Sequence, residues 1–306
     1  MKYVAPSAPL SIGGVLDDWL RLFRSSFSGC WPLALIAAVA GTAVQLLVVP
    51  RPPRPGLSVL QYLEQTGSMV HTPQILLGDI VFWLILLVVY GALLAQQTAV
   101  MGARAPLSFG GALNSGLRRL PQMLLAGVLL ALILGAVFMP AGVSLGLLIG
   151  LRRAGHDSRS LLLGAVFGIA ALSLLLVYLS VRLQFWLPAI FVDDCGGAAS
   201  LGRSWRLVKN HWWRVTAITF VAGVIIWILS VAIGGTAGAV AALLGAHGTG
   251  PADMLYRLRL GAAIATIARL VTMPLLTAVW LAIYRDLKLR LEGSDLTARA
   301  EALGGR

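Results

Sequence analysis

The stretch Phe191–Arg214, FVDDCGGAASLGRSWRLVKNHWWR, decides the fold class that the sequence predicts. Its apolar residues recur at three- and four-residue steps, which is typical of an amphipathic α-helix: Leu201, Trp205, Val208 and Trp212. Basic side chains lie between them: Arg203, Arg206 and Lys209. Long apolar runs flank the stretch on both sides. Because a cationic amphipathic helix between membrane spans lies most naturally among the lipid headgroups, we expect an interfacial helix here.

The composition places the whole chain in a membrane. Of its 306 residues, 58% are apolar and 12% are charged, and that charged fraction is about half that of a soluble domain. The formal net charge of +12 comes from basic residues that cluster at the ends of apolar runs. This placement favours anionic lipid headgroups as partners and argues against nucleic acid. The two cysteines are too few for a disulfide framework.

Six apolar segments approach or exceed the ~20 residues that a helix needs to cross a bilayer. They lie at about 31–49, 74–101, within 120–151, 161–188, from 213 onward and 260–284. We therefore predict an all-α polytopic membrane protein with six transmembrane helices. The uncharged run at 120–151 is too long for an upright helix, so we expect it to tilt or to break near Pro140.

The distribution of basic residues predicts the orientation in the membrane. Six spans bring both termini to one side. The termini and the loops on that side carry 15 Lys and Arg residues, against seven on the opposite loops. Because loops rich in Lys and Arg stay in the cytosol, both termini are predicted to be cytosolic. Asp17 and Asp18 fall where a signal peptide has its apolar core, so we expect no cleaved leader.

An internal repeat organises the chain. Ser11–Leu22 reads SIGGVLDDWLRL and Ser108–Arg119 reads SFGGALNSGLRR, and six residues coincide without a gap at an offset of 97. Ser11 is also suited to cap the first helix. Gly196–Leu207, GGAASLGRSWRL, aligns with the first copy at an offset of 185. We predict a single membrane domain, 1–306, with three units that each combine an interfacial helix and a two-span hairpin. The units cover about 10–103, 104–190 and 191–290, and a polar cytosolic tail covers 291–306.

Polar residues in or near the predicted spans are candidates for function. Arg269 is costly in a bilayer, at least ~2.5–3.5 kcal/mol on insertion scales, and Asp79 is the only acid within a span. An ion pair between them is one interpretation, and a substrate or lipid-phosphate site is the other. Arg182 lies near the end of the fourth span, where its side chain can reach the interface or the Asp193–Asp194 pair. Gln184 beside it suits a hydrogen bond between helices.

Motifs for catalysis and metal binding are weak. Gly142–Gly146, GVSLG, matches the GxSxG pattern, but no strand precedes it and the run is transmembrane. His71, His156 and His247 fall one per outer loop, without the spacing of metal ligands. We therefore predict no catalytic residue, no metal and no cofactor.

Three stretches resemble a known family. They are GGVLDDWLRLFRSSFSGCWP (13–32), PAIFVDDCGGAASLGRSWRLVKNHWWRV (188–215) and MPLLTAVWLAIYRDLKLRLEGSDL (273–296). The acidic residues before an RSW helix and the closing Y-x-D-L-(R/K)-x-R-x-E-G motif are similar to the membrane-domain family named after glycerophosphoryl diester phosphodiesterases. The resemblance implies a stand-alone protein of the bacterial cytoplasmic membrane. True phosphodiesterases of that family carry a separate soluble barrel. This chain ends 22 residues after Tyr284, so we expect no such domain and no hydrolase activity.

The sequence thus predicts a non-enzymatic lipid-interacting or scaffold module. In this interpretation Arg203, Arg206 and Lys209 contact lipid phosphates, while Trp205 and Trp212 anchor the helix in the headgroup layer. A membrane-protein partner or a homo-oligomer is compatible with such a role.

The alternative function is a transporter or channel for a small molecule or a lipid. Its pathway would run along the repeat axis, where Asp79, Arg269 and the glutamines of the spans would converge. A scaffold needs no such polar pathway, so the surroundings of Asp79 and Arg269 discriminate between the two functions.

Overall fold

The computed structural model describes residues 3–48, 73–153, 159–243 and 251–304. These residues form eight α-helices and contain no strand, which confirms the predicted all-α class. The helices are α1 Ile12–Val48, α2 Pro73–Met101, α3 Phe109–Arg153, α4 Arg159–Leu183, α5 Trp186–Val192, α6 Gly197–Val208, α7 Trp212–Leu243 and α8 Pro251–Gly304.

Six segments of these helices are long and apolar enough to cross a membrane: Ile12–Ala43, Leu76–Met101, Phe109–Ser144, Val166–Val192, Trp212–Thr236 and Ala268–Gly293. Large apolar side chains on them are exposed, including Phe167 at 72% and Phe220 at 70%. Such surfaces are stable only against lipid or another apolar surface. The protein is therefore a multi-pass membrane protein, as the hydropathy predicted.

The starts of three helices fall at aligned positions of the predicted repeat. Ser11 precedes α1 and its Oγ accepts a hydrogen bond from the Gly14 N–H at 3.1 Å, which confirms the predicted cap. Ser108 precedes α3 and accepts from the Gly111 N–H at 3.2 Å. Helix α6 follows Gly196, which aligns with Ser11 at the offset of 185 but has no side chain to form a cap.

The structure differs from the prediction in the first two units. The amphipathic segments expected before the first and third spans are not separate helices, because α1 continues through Pro32 and α3 through Pro121 and Pro140. Of the two alternatives predicted for the run 120–151, the break near Pro140 is therefore not observed, and the tilt stays a prediction. A proline removes one helical hydrogen bond, but bilayer helices tolerate this loss when local adjustments satisfy the freed carbonyl.

Helix α8 likewise continues through Pro274 and into the region predicted as a polar tail. Only α6 is a separate amphipathic helix among the described residues. It is separated from α7 by the turn Lys209–His211, in which the His211 N–H donates to the Val208 carbonyl at 3.0 Å.

The helix of the fourth predicted span is interrupted near its end. Helix α4 stops at Leu183, and the short helix α5 starts at Trp186. Pro188 explains the interruption, because it has no N–H for the carbonyl four residues earlier, at Gln184. As the third residue of α5, Pro188 occupies a position whose N–H needs no helical acceptor.

The described residues form two compact units. The first comprises the described residues within Met1–Leu120 and Ile218–Ala282, and the second those within Pro121–Ala217 and Ile283–Arg306. Within the first unit, the indole N–H of Trp19 donates to the Leu275 carbonyl at 2.9 Å, and the Gln97 amide donates to the Pro274 carbonyl at 2.8 Å. The second unit contains α6 and the candidate site.

Within the second unit, a close approach of backbones places α6 against α3. A Cβ at Gly197 would lie 2.6 Å from the Gln122 carbonyl oxygen and 3.2 Å from the Ala126 nitrogen. Backbone atoms cannot move away as a flexible side chain can. Gly197 is thus required for this contact.

We expect Gly197→Ala to lower the free energy of unfolding by about 1–3 kcal/mol, because the added methyl group overpacks the contact with α3. Gly202 lies in the same helix and has no atom within 4 Å of a Cβ built there. Gly202→Ala is the matched control and should stabilise the protein by roughly 0.5–1 kcal/mol through helix propensity. Thermal unfolding of both variants in detergent measures the difference. Equal stabilities would contradict the packing assigned to α6.

Candidate functional site

The carboxylate of Asp193 connects three segments of the second unit. Asp193 is the C-cap of α5. It accepts hydrogen bonds from Arg203 Nε of α6 and from Tyr284 Oη and Lys288 Nζ of α8, each at 2.7 Å. Two of these contacts are ion pairs, and the Asp193 side chain is 11% exposed. The end of α5, the middle of α6 and α8 are thereby held together.

The network keeps Asp193 ionised. Burial alone would raise the pKa of this carboxyl, but the hydrogen bonds from Lys288, Tyr284 and Arg203 prevail and hold its pKa below the ordinary value. The adjacent Asp194 is exposed and adopts a φ of 51°. Asp is among the few residues other than glycine that enter this left-handed region readily. The two acids, which the sequence could not distinguish, therefore have different roles.

The serine of the RSW motif forms hydrogen bonds to the backbone where the helix is interrupted between α4 and α5. Ser204 is fully buried. Its Oγ donates to the Arg182 carbonyl at 2.8 Å and accepts from the Phe185 N–H at 3.2 Å. These backbone groups lie at the end of α4 and in the following turn, where no helical residue serves as their hydrogen-bond partner. Ser204 thus fixes α6 against this turn.

A second shared carboxylate lies on α8. Asp286 accepts from Arg214 Nη2 at 3.1 Å and from Arg290 Nε at 3.0 Å, and its side chain is 2% exposed. Asp193 and Asp286 therefore each face two cations. The segments 182–214 and 285–292 together contain eight Lys and Arg residues and four Asp and Glu residues. This part of the unit has a clear surplus of positive charge.

A cleft opens beside the turn between α6 and α7. It has a volume of about 480 Å³ and is lined by Tyr178, Arg182, Lys209, Asn210, His211, Trp212, Trp213 and Arg214. Three of these side chains are cationic and three are aromatic, and none is acidic. The chemistry of the lining suits an anion bordered by apolar groups.

Arg182 is the most buried cation of this cleft, with 7% of the residue exposed. Its Nη1 donates to the Trp205 carbonyl at 3.2 Å and its Nη2 to Tyr178 Oη at 2.6 Å. The guanidinium carbon lies 4.4 Å from the centre of the Trp205 ring and 5.1 Å from that of Tyr178. Nε has no hydrogen-bond partner among the described residues. No described carboxylate pairs with Arg182, so the predicted alternative of a contact with Asp193 or Asp194 is not realised.

The predicted phosphate-binding cations occupy two environments. Arg203 is engaged by Asp193, whereas Arg206 of α6 and Lys209 of the following turn are exposed. The predicted apolar stripe is partly wrong, since Trp205 is 37% exposed. The buried face instead comprises Gly197, Ser200, Leu201, Ser204, Leu207 and Val208. Small polar residues take the inner positions because they bond to nearby backbone.

Of the two tryptophans at the start of α7, the predicted anchor Trp212 is the less exposed. Trp212 is half-buried; its ring centre lies 5.8 Å from that of Tyr178, and its indole N–H donates to the Tyr178 carbonyl at 3.4 Å. Trp213, which is not one of the two predicted anchors, is 80% exposed. Its position at the start of the fifth apolar run was the available signal for an interfacial residue.

The predicted ion pair between Asp79 and Arg269 is absent from the first unit. Asp79 is exposed on α2. Phe82, one turn later, lies against Arg269 instead, with the guanidinium carbon 5.9 Å from the ring centre. Arg269 Nη1 is buried without a hydrogen-bond partner in the part of the chain that the structure describes. Gln184, the remaining predicted polar residue, is half-buried in the turn between α4 and α5.

The three histidines discussed as candidate metal ligands lie outside the described residues: His71, His156 and His247. Within the described residues, no group of three or more His, Cys, Asp and Glu side chains is close enough to hold a metal ion. Cys30 and Cys195 are both unpaired thiols.

Comparison with known proteins identifies a family without an assigned activity. A family model described as a domain of unknown function (DUF7847) matches residues 31–287, most of the chain. No curated protein and no solved structure matches the chain. The resemblance to the glycerophosphoryl diester phosphodiesterase membrane domain stays a prediction.

We expect Asp193→Asn to lower the free energy of unfolding by about 2–4 kcal/mol, because it removes the negative charge that Arg203 and Lys288 face. Since the folded pKa of Asp193 lies below the unfolded value of about 3.9, the carboxylate stabilises the fold above that pH. This contribution is lost as the pH falls through the folded pKa. Thermal unfolding of the wild type between neutral and acidic pH should show the loss, and Asp193→Asn should lack it. The control is Asp194→Asn, and an equal effect of the two substitutions would contradict the assigned network.

Proposed function

We infer the function from the chain's own residues, because the chain belongs to this DUF7847 family and the family's description assigns no activity. We propose that the protein is a lipid-interacting or scaffold module of the bacterial cytoplasmic membrane that performs no catalysis. One observation carries the proposal: α6 is a separate amphipathic helix between apolar helices, with exposed Trp205 and Arg206 opposite a buried face and exposed Lys209 directly after its last residue. Such a helix binds where lipid headgroups meet acyl chains.

The charges of the second unit support anionic lipid as the ligand. Asp193 and Asp286 each already face two cations, so Arg206 and Lys209 are not needed to balance them. Each Lys or Arg near an anionic leaflet contributes about 1 kcal/mol of attraction. Exposed Trp213 adds an amphipathic ring of the kind that is enriched at membrane interfaces.

The proposal includes three repeat units with both termini in the cytosol. Positions 19, 116 and 204 align at the repeat offsets, and each meets the backbone of an apolar helix. Trp19 donates to the Leu275 carbonyl, and Ser204 donates to the Arg182 carbonyl. A Cβ at Gly116 would lie 2.5 Å from the Val88 carbonyl oxygen. The close approach to backbone at all three aligned positions supports the repeat, and the basic residues of α6 support a cytosolic placement.

We expect the double substitution Arg206→Gln, Lys209→Gln to reduce the preference for anionic over zwitterionic lipid about thirtyfold, because two cations contribute roughly 2 kcal/mol of surface attraction. The protein would be reconstituted in bilayers of brominated phosphatidylglycerol or brominated phosphatidylcholine. Quenching of tryptophan fluorescence then reports the relative association of each lipid.

The matched control is Arg104→Gln, Arg118→Gln, which removes the same charge from two exposed residues outside α6. It should change the preference by less than half as much on a logarithmic scale, since its residues lack the adjoining tryptophans. If the α6 variant keeps the wild-type preference, the proposed function is wrong. Equal losses in both variants would show that net charge, and not α6, determines the interaction.

A second candidate is the transporter or channel, favoured by buried polar atoms of the first unit. Oxygens of Gln96, Gln97 and Thr98 and Nη1 of Arg269 have no hydrogen-bond partner among the described residues. An uncompensated arginine in an apolar helix suits a small anion as the transported species. Proteoliposomes should then release chloride or phosphate faster than protein-free vesicles, and Arg269→Gln should slow the release at least several-fold. Release at the protein-free rate would eliminate this candidate.

A further inference from the structure

We propose that the cleft beside the α6–α7 turn is a discrete binding site for one phosphate group. The group would be carried either by a lipid headgroup or by a small soluble phosphate compound. The site deepens the lipid interaction proposed above and rests on it only for the lipid source. It differs from surface attraction in predicting saturable binding of one phosphate per chain.

The first support is the buried guanidinium of Arg182. Its 7% exposure removes it from water. The groups that contact it are neutral: the Trp205 carbonyl, the Tyr178 hydroxyl and the two aromatic rings. The Nε atom of Arg182 has no hydrogen-bond partner within the described residues. A buried charge is costly unless an opposite charge and hydrogen bonds compensate it, so Arg182 is arranged to receive an anion.

The second support is the absence of a competing acid in the cleft lining. Asp193 is occupied by Arg203 and Lys288, and it does not reach Arg182. Arg214 of the lining is paired with Asp286. Asp286 also pairs with Arg290, so one carboxylate serves two guanidinium groups. The lining that an anion would contact in the cleft therefore carries net positive charge.

The third support is the start of α7. The cleft lining includes its first three residues, Trp212, Trp213 and Arg214. The first N–H groups of a helix have no helical acceptor, and the helix dipole favours negative charge there. Helix α7 is 32 residues long and has no acidic residue in its first turn. The start of α7 and the Arg182 side chain thus border the same cleft.

The surroundings favour phosphate over other anions. The cleft lies where the apolar segment Val166–Val192 approaches its end and the segment Trp212–Thr236 begins. Its aromatic residues, Tyr178, Trp212 and Trp213, are the types enriched at the level of the headgroups. The abundant anion at that depth is the lipid phosphate. A guanidinium fork matches phosphate oxygens with two parallel hydrogen bonds.

The test introduces a negative charge into the cleft without changing side-chain size. Asn210 is exposed and lines the cleft, so Asn210→Asp should leave the fold intact. Asn114 is exposed on α3, and Asn114→Asp is the matched control. Arg182→Gln tests the buried cation itself, but it also removes contacts to Tyr178 and Trp205 that order the turn. Asn210→Asp therefore keeps the proposal testable if Arg182→Gln fails to fold.

Two arms distinguish the sources of phosphate. In the first, inorganic phosphate is titrated calorimetrically into the full chain in micelles of a neutral detergent. In the second, native mass spectrometry measures retention of phosphatidic acid against phosphatidylcholine from an equimolar mixture. We expect saturable one-to-one binding in at least one arm, weakened about tenfold by Asn210→Asp through like-charge repulsion and unchanged by Asn114→Asp.

Each outcome decides the proposal. Binding in the lipid arm alone assigns the phosphate to a headgroup, and binding in the first arm alone assigns it to a soluble compound. Absence of saturable binding from both arms, or equal affinity of the wild type and Asn210→Asp, overturns the site. Arg206→Gln separates this result from the proposed function, because Arg206 lies outside the cleft lining. Loss of anionic-lipid preference in Arg206→Gln with intact phosphate binding would show that the two interactions are independent.

Discussion

The position of α6 depends on one carboxylate. Asp193 receives Arg203 from α6 and Tyr284 and Lys288 from α8, each at 2.7 Å. With α6 held there, Ser204 reaches the backbone turn after α4, and the Trp205 ring covers Arg182. The cleft is then the space that remains between the end of α4 and the start of α7. A structural ion-pair network thus creates the site without contributing a side chain to its lining.

Much of the fold was predictable because the membrane imposes simple rules. A backbone in lipid must satisfy its own hydrogen bonds, so long apolar runs become helices, and the spans follow from hydropathy alone. Capping chemistry is equally local: Ser11 and Ser108 accept from N–H groups three residues later. The continuity of α1 and α3 was not predictable in this way. Whether a helix bends, breaks or continues at a proline depends on neighbouring groups that the sequence does not place.

The site was less predictable because its contacts join distant residues. Periodicity placed Trp205 on the buried stripe, yet Ser204 takes that position because a carbonyl of α4 lies within reach of its hydroxyl. Arg203 looked like a phosphate ligand, but it is 10 residues from Asp193 along the chain and bonds to it. Composition identifies a cationic helix. Only the packing separates the cation that stabilises the fold from those that remain exposed.

This separation has a consequence for how ligand and fold are coupled. A surplus of like charges destabilises a compact structure, and no described carboxylate compensates Arg182. An anion bound in the cleft would relieve that cost only in the folded state, so it would stabilise the fold by mass action. The Asp193 network acts without ligand, since both members of each of its ion pairs belong to the chain. The Asp193 network therefore stabilises the fold before any anion is bound, and an anion bound in the cleft would add to that stability.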